Sequence, residues 1–582
     1  MSERLDAITV EVVHQSMAGI VQEMQNALFA TGYSSVIRES HDASGAIMTA
    51  DARMIAQHTV TPIHLGAFPA CTAGVLEWHR PEEMEPGDAF VINHPYIGGS
   101  PHASDMAIIT PIFVEGRLFG FTGSIAHKPD IGGLAPGSNS GASRELFHDG
   151  LMVPPVRLWR RGELVRDVEA IIAANTRTPE LVIGDLRGQM GATFLAADRV
   201  QRLCARLGLE TVLAAAERLI EVTAEQARAV VRTWPEGTYH GEATLHNDGV
   251  EEGRPVRCRV DLTIRDGLVH ADFSGSSDQT AGPYNIRPAL VRAVCYYVLK
   301  CLAGPDLPSN HGLAQVIDAT FREGSVLNPR LPAPVNTYIA MALVTSEALF
   351  DAFAAAVPEA RIAQSSHGGA LVTGTLSHAK PGGGSLVQYE ILAGAMGARQ
   401  DQDGVSATTV HVRNGAITPI EILETEFPVQ VARFELVPDS GGPGRYRGGL
   451  GVAREYRALG PSRRVARGGR ELTPPPGRDG GLPGRSSRVV LNPGTDREHQ
   501  VTARDGNVEL AAGDVIRYEL GGGGGFGDPW TRPPRAILAD VHEGYVTPDG
   551  ARRDYGVVVV ADGRGWRLDE TATAALRATP RG

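Results

Sequence analysis

From Ile8 to about Ala30, apolar residues recur at Val12, Met17, Ile20, Met24 and Leu28. That spacing predicts an amphipathic helix, with Asp6 as its N-cap and Gly32 as its stop. The rhythm then changes to short apolar runs at 46–48, 89–92, 106–113 and 118–125, bounded by Gly, Pro, Asn and Asp, which read as strands. Helical spacing returns over roughly 179–234, through Leu203, Leu207, Val212, Ala216, Leu219 and Val222. Strand-like runs follow at 239–245, 256–264 and 268–273, and buried helices are predicted at 288–302 and 345–357. Beyond about residue 425 the chain turns β-rich and heavy in Gly and Pro. It has a loop near 468–484 and a glycine run at 521–525.

These patterns predict a mixed α+β, multidomain protein with a β-rich C-terminal region. Four regions are expected: 1–235, an N-terminal α+β region with metal-binding potential; 236–425, a central α+β region; 426–535, the β-rich Gly/Pro-heavy part; and 536–582, a tail. A chain of 582 residues is too long for one ordinary core. Its 69 glycines stand well above the roughly 7% of average usage, so many positions need tight turns or close backbone approach.

Charge and cysteine content narrow the function classes. A formal charge of −12 with no basic stripe argues against a nucleic-acid binder. Five scattered cysteines without CxxC spacing fit a reducing compartment, with neither a disulfide framework nor a zinc ribbon. The first residues form no apolar signal core, and no apolar run is long enough to span a bilayer. The expectation is a cytoplasmic protein with no membrane and no nucleic-acid partner.

The candidate chemistry lies in the loops at 93–105 and 126–150. His102-Ala103-Ser104-Asp105 precedes one predicted strand, and His127-Lys128-Pro129-Asp130 follows the next. If those strands pair as a hairpin, both motifs meet at one edge. Mixed imidazole–carboxylate sets suit Zn, Mn or Fe, with an open position for water activation. The alternative is two loop histidines bonding local carbonyls. Gly98, Gly99, Gly132 and Gly133 flank the motifs and permit unusual backbone geometry there, although plain turns would use them equally well. Asp42, in Arg38-Glu39-Ser40-His41-Asp42, offers a further carboxylate; a charge run after a helix is also simply a solvated face. His64, in a Pro-Ile-His-Leu-Gly turn, reads as structural, and the segment 175–180 as a helix cap. The chain carries no GxxxxGK[ST], and its 521–525 glycines lead into Phe-Gly-Asp-Pro, a poor dinucleotide fingerprint. A Gly-x-Ser-x-Gly elbow is absent as well.

Several blocks taken in order resemble the hydantoinase B/oxoprolinase family. They include Thr31-Gly32-Tyr33-Ser34, Pro62-Ile63-His64-Leu65-Gly66, Asn93-His94-Pro95-Tyr96, Ala126 to Gly133, Asn175 to Glu180, Asp272 to Ser276, Gly394 to Arg399, Pro438 to Gly444 and Gly523 to Pro529. The resemblance runs nearly end to end. It implies a subunit of an ATP-dependent hydantoinase, oxoprolinase or caprolactamase acting on a small cyclic amide, or of an acetone or acetophenone carboxylase. It also implies a hetero-oligomer with a hydantoinase A-type subunit. That partner would bind ATP and Mg and phosphorylate the amide oxygen, or bicarbonate in the carboxylases. Carried over residue by residue, the family's divalent-metal site falls on His102, Asp105 and His127, with Asp42 as fourth ligand. Asp130 then either orients His127 or serves as general base, and Arg38, His94, Gly132 and Gly133 are expected to meet the substrate. A third alternative is a catalytically silent scaffold for the partner. The chain departs from the family where Asn-Asp-Pro-Tyr is usual: His94 replaces the aspartate, and Pro101 stands inserted before His102, so His94 becomes a competing ligand.

Overall fold

The computed structural model describes residues 6–58, 60–366, 373–380, 382–465, 473–502, 507–563 and 565–579. Residues 466–472, at the start of the predicted 468–484 loop, lie outside the described residues, as do residues 1–5. Helix and sheet are mixed throughout. The chain divides into two compact units: residues 1–352, 375–390 and 412–422 form one, and 353–374, 391–411 and 423–582 the other.

The first unit is built on a seven-stranded antiparallel sheet of order β2-β1-β5-β4-β3-β6-β7. Its strands are β1 (Ala43–Thr49), β2 (Met54–Gln57), β3 (Ala89–Ile92), β4 (Asp105–Val114), β5 (Arg117–His127), β6 (Val156–Arg160) and β7 (Glu163–Leu164). The hairpin expected from the apolar runs is there: β4 and β5 are joined at Glu115 and Gly116, both with positive φ, as a tight turn between twisted strands requires. Helix α1 (Ala7–Thr31) is capped by the Asp6 carboxylate, which accepts from the Thr9 N–H at 2.9 Å. After the short α2 (Ser35–Arg38), α3 spans His64–Trp78 and α4 Arg166–Ala174.

The predicted helical stretch at 179–234 is two helices, α5 (Pro179–Leu207) and α6 (Leu209–Val231). The break falls at Gly208, whose φ of 89° no continuing helix accommodates. Met17, Ile20 and Met24 of α1 join Ala196 and Val200 of α5, Val212 of α6 and Ile47 of β1 in one core that covers one face of the sheet. Thr110 and Thr122 mark that face, since their hydroxyls bond to Thr193 on α5. Alternation along the strands then turns Ile109 and Gly123 to the opposite face. There a Cβ on Gly123 would lie 2.9 Å from Phe68 of α3, so a glycine lets that helix sit close.

A four-stranded sheet of order β11-β10-β9-β8 follows, from β8 (Gly237–Asn247), β9 (Glu252–Arg265), β10 (Leu268–Asp272) and β11 (Ile317–Thr320). Helix α7 (Pro288–Ala303) lies where predicted, whereas α8 (Tyr338–Phe353) starts earlier than the apolar run at 345–357 implied. The strands β12 (Thr373–Ala379) and β13 (Ser385–Ile391) neighbour each other.

The second unit is β-rich. After the short pair β14 (Gly394–Ala395) and β15 (Ser406–Thr408), it carries an antiparallel sheet of order β16-β17-β22-β19-β20. That sheet is formed by β16 (Val429–Leu436), β17 (Val452–Ala458), β19 (Arg488–Leu491), β20 (His499–Val501) and β22 (Val515–Glu519). The two short strands β18 (Ser462–Arg464) and β21 (Val508–Leu510) pair with each other. The glycine run after β22 packs backbone on backbone: a Cβ on Gly522 would sit 1.9 Å from the Ser440 carbonyl oxygen, and one on Gly523 2.1 Å from that of Met396. Part of the glycine excess is therefore a packing requirement rather than a phosphate cradle. Among the described residues, no helix is long and apolar enough to cross a membrane.

Candidate metal centre

Three strand ends meet at one edge of the seven-stranded sheet. β4 begins at Asp105, β5 ends at His127, and the register sets these two residues directly opposite one another. Opposed residues on an antiparallel pair put their side chains on the same face. Here that is the face toward α3, because Asp105 and His127 share parity with Ile109 and Gly123. β1 starts one residue after Asp42, whose carbonyl oxygen accepts from the His127 N–H at 3.0 Å. His102 arrives from the loop before β4, tied down where its carbonyl oxygen accepts from the Asp105 N–H at 3.1 Å.

The side chains converge accordingly. His102 Nε2 lies 3.3 Å from Asp105 Oδ2, and the His102 and His127 rings are 5.1 Å apart. One donor atom each from His102, Asp105 and His127 falls within 4.8 Å of the others, and all three residues are buried. Metal–donor bonds of about 2.0–2.2 Å put tetrahedral ligand atoms roughly 3.5 Å apart, so small rotamer shifts would close this set on an ion. Two imidazole nitrogens and a carboxylate oxygen are a donor set that zinc, manganese and iron all accept.

The surroundings are polar and buried. The Tyr338 hydroxyl, at the start of α8, donates to Asp105 Oδ2 at 3.5 Å, and its ring lies edge-on to His102. Tyr389 stacks on His127 with centroids 4.4 Å apart. Burial alone would push the Asp105 carboxyl up, but His102, with His127 and His64, outweighs it and holds Asp105 well below the usual carboxylate range. Asp42 goes the other way: burial and the Asp105 carboxylate push it up to about 6, with Arg413 and His102 opposing. Burial pushes Tyr338 well above its ordinary value, and Asp105 and Asp42 add to the effect. His64 is buried, contacts the Ser44 hydroxyl at 2.9 Å, and is pushed down to about 4 by burial, so it stays neutral.

Here the chain can be compared with known proteins. The sequence model of the Hydantoinase B/oxoprolinase family matches residues 6–529. This chain is a member of the hydantoinase B/oxoprolinase family. The caprolactamase subunit beta of Pseudomonas jessenii is 32% identical over 598 residues, covering 99% of both chains. The B-type subunit of a putative D-/L-hydantoinase from Pseudomonas sp. strain NS671 is 30% identical over 579 residues, covering 96% of each. The crystal structure of the ATP-dependent caprolactamase from Pseudomonas jessenii superposes with a TM-score of 0.90 at 30% identity, over 99% of this chain and 100% of that one. The chain's relatives thus include subunits named for a hydantoinase, an ATP-dependent caprolactamase and an acetophenone carboxylase.

Other residues singled out in this family member's sequence sit elsewhere. Asp130 is buried with both oxygens engaged. Oδ1 accepts from the N–H groups of Gly132 and Arg177, and Oδ2 from the Gly137 N–H and the Arg177 guanidinium at 2.9 Å. With its lone pairs committed, it is an anchor for the 130–137 loop, and a general base needs a free one. His94 Nδ1 accepts from the N–H groups of Tyr96 and Ile97, which makes it a turn cap outside the converging set. Arg38 is held by Glu39 and the Tyr33 carbonyl. Gly132 and Gly133, both at positive φ, allow close loop packing: added Cβ atoms would lie 2.5 Å from the Asn175 oxygen and 2.7 Å from the His148 oxygen. Tyr338, Tyr389 and Arg413 escaped sequence reasoning because they lie far along the chain in segments without a motif, and Asp149, although within the 126–150 loop, belongs to no recognisable motif.

Proposed function

We propose that this chain is the metal-dependent, ring-opening subunit of an ATP-dependent cyclic amidohydrolase of the hydantoinase/oxoprolinase/lactamase type. It works with a hydantoinase A-type subunit that binds ATP and Mg and activates the amide by phosphorylation. The observation that carries this is the buried convergence of His102, Asp105 and His127 within 4.8 Å. Relatives named as caprolactamase and hydantoinase subunits, aligned over nearly their full length, favour ring hydrolysis over a scaffold role.

A divalent cation held by His102, Asp105 and His127, with Asp42 as fourth ligand, would polarise an amide carbonyl and make water nucleophilic near neutral pH. The protein's own part is to hold that donor set. Tyr338 braces Asp105 through Oδ2, and Tyr389 keeps the His127 ring in plane by stacking. Asp130 fixes the loop that follows His127 rather than taking a proton itself. Resonance deprives an amide carbon of electrophilicity, and this is the barrier that ATP-driven activation in the partner removes.

The test is co-purification with an A-type subunit and assay of 5-oxoproline, hydantoin and caprolactam with ATP. The expected result is ATP-dependent ring opening that disappears in a His102→Ala, His127→Ala double variant. Ring opening undiminished in that variant would overturn the metal's role. ATP-dependent incorporation of labelled bicarbonate into a ketone, without ring opening, would overturn the hydrolytic assignment.

A further inference from the structure

Asp149 closes a short 3-10 turn (Leu146–Asp149) and is buried, with 1% of its surface exposed. Its position is rigidly set. Gly150, at φ 111°, packs against the Ile131 oxygen, and Gly133 packs against His148, so the turn is bolted to the loop that follows His127. Oδ1 accepts from the Asn336 amide at 3.0 Å, and the same amide also donates to the Ser138 oxygen at 2.8 Å. Two residues beyond Asn336, Tyr338 reaches Asp105. One short segment therefore holds both Asp149 and a residue of the candidate metal centre.

Asp149 Oδ2 is different. It is buried and makes no hydrogen bond of normal distance and angle among the described residues, although the Ser143 hydroxyl and the Val335 N–H both act on the carboxylate as donors. Burial pushes the carboxyl up to about 6, although Asn336, Ser143 and His102 all favour its charged form. Through Asn336 and the nearby Tyr338 the carboxylate is tied to the centre without belonging to the converging donor set. A buried carboxylate oxygen without a donor is costly, and a water or a ligand that supplies one relieves that cost. Every cyclic amide of the proposed substrate class carries such a donor, the ring N–H next to the carbonyl carbon.

We infer that Asp149 is a specificity residue of the site, its Oδ2 accepting a hydrogen bond from the ring N–H of the substrate. The assignment rests on the proposed amide hydrolysis. A site built to bond an N–H rejects the analogue that lacks it, because its own polar group is then left buried and unpaired.

The test is calorimetric titration of the full-length, zinc-loaded chain with three matched pairs: caprolactam, hydantoin and 5-oxoproline, each against its ring N-methyl analogue. Wild type is expected to bind the N–H member of at least one pair roughly tenfold to a hundredfold more tightly. Asp149→Asn, which keeps the side-chain size, should abolish that preference with zinc content unchanged. Asp149→Ser serves if the Asn variant does not fold. Equal binding of both members by wild type, or a preference that survives the substitution, overturns the assignment and leaves ring hydrolysis standing. Zinc loss on substitution overturns it too, making Asp149 a support of the metal centre. Failure of every ring to bind overturns the proposed function itself, and the role of Asp149 with it.

Discussion

Asp105 stands directly opposite His127 across the β4–β5 ladder, the first residue of one strand against the last residue of the next. Their chain separation is closed by a tight turn at the far end of the hairpin, so ladder register brings carboxylate and imidazole together. A slip of one residue would send one of them to the α5 face of the sheet.

Asp105→Ala removes the central oxygen donor and leaves two imidazoles with only the proposed Asp42 carboxylate to balance a cation. Metal affinity is expected to fall by at least about 100-fold, a larger effect than that of an outer-shell change. Mass spectrometry of the purified chain should show stoichiometric metal in the wild type and none in the variant. Retained metal would place the site elsewhere.

Asp42→Asn tests the fourth ligand. The Asp42 carbonyl already bonds to His127, so the backbone should hold while the donor is weakened. A drop in affinity of roughly 10- to 100-fold is expected from competition titrations against a chelating dye. An unchanged affinity would restrict the ligands to the converging three.

Asp130→Ala separates anchoring from chemistry. Removing a buried carboxylate that fixes three N–H groups and the Arg177 guanidinium should lower stability by about 3–5 kcal/mol in urea unfolding. Metal bound per folded chain should stay at the wild-type level. Unchanged stability with loss of turnover would restore the general-base role.

The raised proton affinity of Asp149 has a signature in stability. Its folded value of about 6 exceeds the ordinary 3.8, so its contribution is fully present below about pH 4 and is lost as pH rises through 6. At roughly 1.4 kcal/mol per unit, the chelator-treated wild type should lose up to about 3 kcal/mol more than Asp149→Asn between those limits. Unfolding curves of both proteins at several pH values measure this difference. Parallel pH profiles would show that the carboxylate is not buried as charged.

Gly523→Ala should cost on the order of 1–3 kcal/mol or more, since the added methyl would meet the Met396 carbonyl oxygen at 2.1 Å. Thermal unfolding shows the effect. An unchanged midpoint would mean that the backbones around the run can separate.

The elements with local signals were readable. The helical spacing of α1, its Asp6 cap, the two strands of the hairpin and the doubled His-x-x-Asp at their ends all follow from side-chain periodicity and turn chemistry over a few residues. The break at Gly208 and the early start of α8 were not. A glycine inside a helical pattern is tolerated or terminal depending on what packs around it, and α8 begins among residues whose helicity comes from tertiary burial.

Residue type and short-range spacing were enough to single out His102, Asp105 and His127 as candidate donors and to predict the hairpin beside them, while the ordered blocks along the chain carried the resemblance to the family. Long-range packing set which polar groups face one another. It placed Tyr338 on Asp105, Tyr389 on His127 and Asn336 on Asp149, and it turned Asp130 into an anchor by filling its lone pairs. Those outcomes depend on contacts between residues tens to hundreds of positions apart, and no local pattern encodes which side of a strand or loop a distant segment will cover.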